Sequence, residues 1–110
     1  MTKVSYDILI MRTDTTLDHL TSFYKLLANE SRLAILLALR DGEKNVAGIC
    51  GRTGLSQTLV SHQLAILRSS NIVRGRRDGR RTFYVLADRH IDIIVSFALE
   101  HLAEKEVLDD

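Results

Sequence analysis

The sequence predicts a winged helix-turn-helix, a mainly α (α+β) fold with five helices and a two-stranded β-hairpin wing, as a single domain over residues 1–110. Three features point to it. A short helix and a second, capped helix flank a tight turn at Gly54, the helix-turn-helix arrangement. Two strand-like runs then enclose Arg77-Asp78-Gly79-Arg80, and Asp-Gly between strands is a strong hairpin signal. A last helix closes the chain from Asp88 to Glu106.

The elements follow in order. Residues 1–13 hold only a weak strand alternation, with Val4, Tyr6, Ile8 and Ile10 against more polar neighbours, and read either as an ordered arm or as a frayed tail. From Asp14 to Leu27, the spacing of Leu17, Leu20, Tyr24 and Leu27 is helical. Asn29 can cap the helix Glu30 to Arg40, which is apolar on most sides and therefore expected to be buried, and Gly42 ends it. The helix-turn-helix occupies 46–69: Val46 to Thr53, the Gly54 turn, the cap Ser56, and Gln57 to Ser69. The wing occupies 72–86, with strands Ile72 to Arg76 and Thr82 to Leu86 rich in β-branched and aromatic residues.

Composition narrows the function. The longest apolar run, Leu33 to Leu39, is far too short for a bilayer. No signal peptide is evident at the N-terminus, so a cytoplasmic location with no membrane partner is expected. A net charge of +1 conceals an asymmetry: from Arg52 to Arg89 there are eight arginines against Asp78 and Asp88, while acids gather toward both ends. A basic middle suits a polyanion, although an arginine-rich loop in solvent would look the same. The single cysteine, Cys50, excludes an intrachain disulfide or a multi-cysteine cage within one chain. It reads as a small buried hydrophobe. No Ser-His-Asp set, phosphate loop or dinucleotide motif suggests an enzyme or a small-molecule substrate.

On the helix Gln57 to Ser69, Leu59, Val60, Leu64 and Leu67 can form a buried stripe, leaving Gln57, Thr58, Ser61, His62 and Arg68 to project. Short polar side chains and Gln near a helix N-terminus fit the major groove of duplex DNA. Arg74, Arg76, Arg77, Arg80 and Arg81 on the hairpin can reach the backbone or the neighbouring minor groove.

Three stretches carry a resemblance. They are Leu26-Leu27-Ala28-Asn29-Glu30-Ser31-Arg32-Leu33-Ala34-Ile35-Leu36; Leu55-Ser56-Gln57 with Val60-Ser61-His62-Gln63-Leu64; and Gly79-Arg80 with Tyr84. From about Leu26 to Glu104 the sequence resembles the ArsR–SmtB family of bacterial metal-responsive repressors. The resemblance implies a winged-helix homodimer whose first and last helices, 14–27 and 88–106, build the interface, and a metal-free form that represses at operator DNA.

The last helix holds Asp88, His90, His101 and Glu104. Two imidazoles and two carboxylates suit a four-coordinate divalent ion. Eleven residues at about 1.5 Å each put His90 and His101 roughly 16 Å apart along the axis, so one helix cannot close the site. A second, antiparallel copy can, with Asp88 and His90 from one chain and His101 and Glu104 from the other. His90, Ile94, Phe97, His101 and Glu104 form a seam suited to packing on that copy. Ile91, Val95, Ala98 and Leu102 form a second stripe expected to face the chain's own core. On spacing alone, Asp88 could be only a helix cap and His101 with Glu104 only a surface pair. The order D-x-H, ten residues, H-x-x-E is similar to the family's zinc site on the last helix, which implies Zn²⁺, with Co²⁺ also suited, as the regulatory ligand. The family's thiolate site is missing: Asn45 and Gly48 stand where its ligands would be. A regulator of the same fold that senses redox state or a small molecule is the alternative, and the sign of His19 is weak.

Overall fold

A computed structural model describes residues 14–104; residues 1–13, read above as an arm, and residues 105–110, where the expected helix end at Glu106 falls, lie outside the described residues. In chain order these are α1 (Asp14–Leu27), α2 (Glu30–Arg40), β1 (Lys44–Asn45), α3 (Val46–Thr53), α4 (Gln57–Ser69), β2 (Val73–Asp78), β3 (Arg81–Leu86) and α5 (Arg89–Glu104). The chain divides into two compact units, Met1–Glu30 and Ser31–Asp110. In the first, α1 leaves Leu17, Leu20 and Tyr24 exposed by 57%, 43% and 55%, while Leu27 is buried, so within one chain only the last of the apolar positions that make this helix legible is enclosed. Phe23 and Tyr24 meet edge-to-face with ring centroids 5.6 Å apart.

The second unit holds a core in which Ile35, Leu36, Ile49, Val60, Leu64, Leu67 and Val73 are fully buried. Each such side chain contributes about 1.5–3 kcal/mol relative to exposure. The expected burial of α2 holds on one side, at Ile35, Leu36, Ala38 and Leu39, while Leu37 stays 40% exposed. The Lys44 ammonium donates to the Ala38 carbonyl at 2.8 Å, placing a cation on the negative end of α2.

Local chemistry sets the helix-turn-helix. Asn45 Oδ1 accepts the Gly48 N–H and caps α3; Gly54, at φ 77°, closes α3 by donating to the Cys50 carbonyl. Ser56 Oγ accepts the Leu59 N–H at 3.1 Å and starts α4. At the other end of α4, Asn71 takes φ 60° and the Ile72 N–H reaches back to the Leu67 carbonyl at 2.9 Å, a Schellman-type ending in which Asn replaces the usual glycine.

The wing differs from expectation in two ways. The β2–β3 hairpin gains a third strand, since β1 pairs antiparallel with β3 through Lys44↔Tyr84 and Asn45↔Phe83. Two residues are too short to show an alternation, so this strand has no sequence signature. The turn is also shifted by one residue. Asp78 pairs with Arg81, which leaves Gly79-Arg80 as the two-residue loop, with φ positive at Gly79, as a turn with glycine first requires.

On α5, Ile91 and Val95 are buried, but Ala98 and Leu102 are exposed. The inward stripe thus covers only the first half of the helix. Arg40 anchors that half from a side distinct from the histidines: it donates to Asp92 Oδ1 and to Ser96 Oγ, both at 2.8 Å. The hydrogen bond from Arg40 holds the Asp92 carboxyl below its ordinary range.

Candidate nucleic-acid interface

Every residue assigned to DNA contact from the sequence is exposed: Gln57, Thr58, Ser61, His62 and Arg68 on α4, and Arg76, Arg77, Arg80 and Arg81 on the wing, with Arg74 beside them. Their exposure follows from what the opposite side of α4 does. Val60, Gln63, Leu64 and Leu67 are buried and Leu59 is half-buried. Gln63 was not foreseen there. It is 8% exposed, and its Oε1 accepts from Arg32 Nη1 at 2.9 Å, which satisfies a polar group that would otherwise be costly to bury. The spacing 60-63-64-67 is itself a helical stripe, so periodicity could have found Gln63 had its polarity not argued against it.

Arg76 has partners within the chain. Its Nη2 and Nε donate to the two carboxylate oxygens of Glu43 at 2.6 and 3.2 Å, and its guanidinium stands 5.3 Å from the centre of the Phe83 ring. The hydrogen bonds from Arg76 hold the Glu43 carboxyl below its usual range, and those to Glu43 raise the Arg76 guanidinium. Because the Glu43 value is lowered, whatever the clasp contributes is present above the ordinary glutamate range and is lost as pH falls through the lowered value. Both groups are exposed, so the contribution is small. Glu43 and Arg76 are 33 residues apart, and no local pattern could have joined them.

The candidate metal residues fall into two groups. Asp88 Oδ1 accepts the His90 N–H at 2.8 Å, the bond of an N-cap, and His90 Nδ1 lies 3.3 Å from the same oxygen. His90 and Asp88 side chains are 86% and 55% exposed; His101 and Glu104, at the far end of α5, are exposed as well. Within the single chain, no group of three or more His, Cys, Asp or Glu side chains among the described residues could hold a metal. Cys50 is half-buried rather than buried, a correction that follows from the shortness of α3, which leaves only Ile49 fully enclosed. None of the described helices is long and apolar enough to cross a membrane.

A Ser-capped helix with a polar outer face, set beside an arginine-rich three-stranded wing, defines a winged helix-turn-helix. Residues 29–74 match the family described as bacterial regulatory protein, arsR family, and the chain belongs to that family. A transcriptional repressor SmtB homolog from Synechocystis is 38% identical over 87 residues, covering 79% of this chain and 66% of that protein. The chain thus spans just under two thirds of that relative. Among solved structures, the homodimeric winged helix-turn-helix DNA-binding domain Mb0332 of Mycobacterium bovis is 31% identical, with TM-score 0.74 over 89% of this chain and 93% of that one. The AntR antimony-specific transcriptional repressor is 29% identical, with TM-score 0.77 over 86% of each chain.

Proposed function

We propose that this chain is a homodimeric, DNA-binding transcriptional repressor that loses its operator when zinc, or a similar divalent ion such as cobalt, binds between the two last helices. The observation that carries the DNA half is α4: a capped helix whose outer face offers Gln57, Thr58, Ser61 and His62, with the wing arginines alongside. A dimer would set two such helices in successive major grooves about 34 Å apart. Exposed Ile93, Phe97 and Leu102 on α5 supply apolar surface for the partner copy. The repressor names of the relatives and the homodimeric state of Mb0332 support this reading, and the antimony specificity of AntR supports a metal or metalloid effector.

The donor set fits the ion. Asp88 and His90 are adjacent and largely exposed, and two carboxylates with two imidazoles suit zinc. Asp88 and His90 of one protomer and His101 and Glu104 of its partner would hold it. When bound, the ion supplies a crosslink between the two copies of α5. The consequence for this chain is a coupling: operator and metal weaken each other equally, and typical coupling of about 1–3 kcal/mol corresponds to roughly 5–150-fold. Titration of the purified protein on its own upstream DNA, with and without zinc, tests it. A shift of that size to weaker binding is expected, and unchanged affinity in zinc would overturn the metal half.

Two predictions follow for the DNA half. Ser61→Ala or His62→Ala is expected to weaken operator binding by about 1–3 kcal/mol if each touches a base edge; a double variant with full operator affinity would remove this assignment. On the wing, Arg80→Ala is expected to weaken binding to all sequences and to lower the salt slope by about one phosphate. Arg76→Ala is expected to change the slope less, because Glu43 already neutralises that guanidinium, and Glu43→Gln to raise affinity slightly. Equal slopes for the two arginine variants would show that Arg76 leaves Glu43 for phosphate.

A further inference from the structure

Gly75 lies in the middle of β2, opposite Tyr84 on β3. Its φ is not in the left-handed region, unlike that of Gly42, Gly54 and Gly79, so its backbone does not call for glycine. Glycine inside a strand weakens the strand and marks a close approach of some other group. Here the approaching groups can be named. A methyl group at Gly75 would stand 3.1 Å from Thr82 Cγ2, 3.4 Å from Tyr84 Cε1 and 3.7 Å from Arg68 Cζ. Only the Thr82 contact is tighter than ordinary; the Arg68 guanidinium, reaching from the last turn of α4 to the wing, would be in ordinary contact with a first carbon, so it is a longer or branched side chain that would enter the space it occupies. The groove at this junction is lined by Ser61, Leu64, Ala65, Arg68, Ser69 and Tyr84.

Arg40, Arg52 and Arg76 are each paired with a carboxylate, whereas among the described residues no carboxylate pairs with Arg68, nor with Arg74, Arg77, Arg80 or Arg81 on the wing. The position of Arg68 on α4 also matters. It lies eleven residues beyond Gln57, about 16 Å further along the axis, whereas base edges are read from the N-terminal part of a recognition helix. An exposed, unneutralised guanidinium at that distance, in a groove lined by Ser61, Ser69 and Tyr84, suits a backbone phosphate.

We propose that Gly75 is a positioning residue for operator binding: it puts no long or branched side chain into the space between α4 and the wing, so Arg68 lies there and its guanidinium holds one DNA phosphate. This rests on the DNA-binding reading above and gives a partner to one groove of that surface. Tyr84 lines the same groove, and Thr82 limits what can replace Gly75.

The test is a set of duplex-binding curves at several salt concentrations, on the upstream DNA and on an unrelated duplex. Arg68→Ala is expected to weaken both by the same factor, roughly 10-fold, and to lower the slope of log affinity against log salt by about 0.9. Gly75→Val is made in a Thr82→Ser background, which removes the nearest clashing methyl. It is expected to cost the same factor when Arg68 is present and nothing further when Arg68 is already Ala. A merely structural role for Gly75 would cost the same in both backgrounds, and that result, or an unchanged salt slope in Arg68→Ala, overturns the proposal. If the valine variant does not fold, Gly75→Ser in the same background takes its place and is read by the same comparison with and without Arg68. A wild-type protein that binds neither duplex at any salt would instead remove the DNA-binding reading, and this inference with it.

Discussion

Two variants that each fail to hold zinc tightly are expected to regain tight sites when mixed. One carries Asp88→Ala with His90→Ala, the other His101→Ala with Glu104→Ala. Either homodimer keeps only half of each site. In a heterodimer, one site has lost all four ligands and the other retains all four. Random exchange makes about half of the dimers heterodimers, so about a quarter of the wild-type zinc stoichiometry returns, an arithmetic that follows from His90 and His101 being about 16 Å apart on one helix. The structure supplies one continuous helix, Arg89–Glu104, between the two ligand groups. The measurement is zinc bound per dimer against a competing chelator, with subunit exchange verified separately. If exchange occurs and no tight site returns, the ligands do not meet between chains and the proposed link from metal to dimer geometry is lost.

The largest stability effect is expected at Leu67. It is fully buried on the inner side of α4, which packs on α3 and β2, and its carbonyl receives the Ile72 N–H that ends the helix. Leu67→Ala deletes three carbons from a closed space and is expected to cost about 2–5 kcal/mol, a large share of a typical total of about 5–15 kcal/mol. Denaturant unfolding reads this directly, as a lower midpoint at unchanged slope. Leu37→Ala is the control, since Leu37 is 40% exposed and surface changes usually stay within about 0.5 kcal/mol. A loss below about 1 kcal/mol at Leu67 would mean that the inner side of α4 is not closed. Operator affinity per folded molecule is expected to hold in both variants, which separates a weakened fold from a weakened interface.

Much of this protein was legible in its residues because the deciding interactions are local. Gly54 and Ser56 act within a few positions of themselves, through a left-handed backbone and a hydroxyl cap. The bounds of α3 and α4 therefore emerge from chain order alone, as does the hairpin around Gly79. The outer residues of α4 follow in turn, because a stripe of apolar side chains on one side of a helix leaves the other side to solvent. The spacing of His90 and His101 is equally local, since helix rise by itself keeps them apart.

Tertiary structure decided what depends on distant partners. Lys44–Asn45 became a strand only because β3 offered an open edge. The hairpin loop settled on Gly79-Arg80 because the β2–β3 register, not the Asp-Gly dipeptide, chose which glycine position must take a positive φ. Gln63 could enter the core only because Arg32, on another helix, donates to it. Arg76 and Arg68 are both arginines that the sequence offers to DNA alike. Yet Glu43 neutralises the first, while the absent side chain of Gly75 leaves room for the second. The last three assignments come from groups that meet across 31, 33 and 7 positions of chain, and only the folded arrangement brings them within reach.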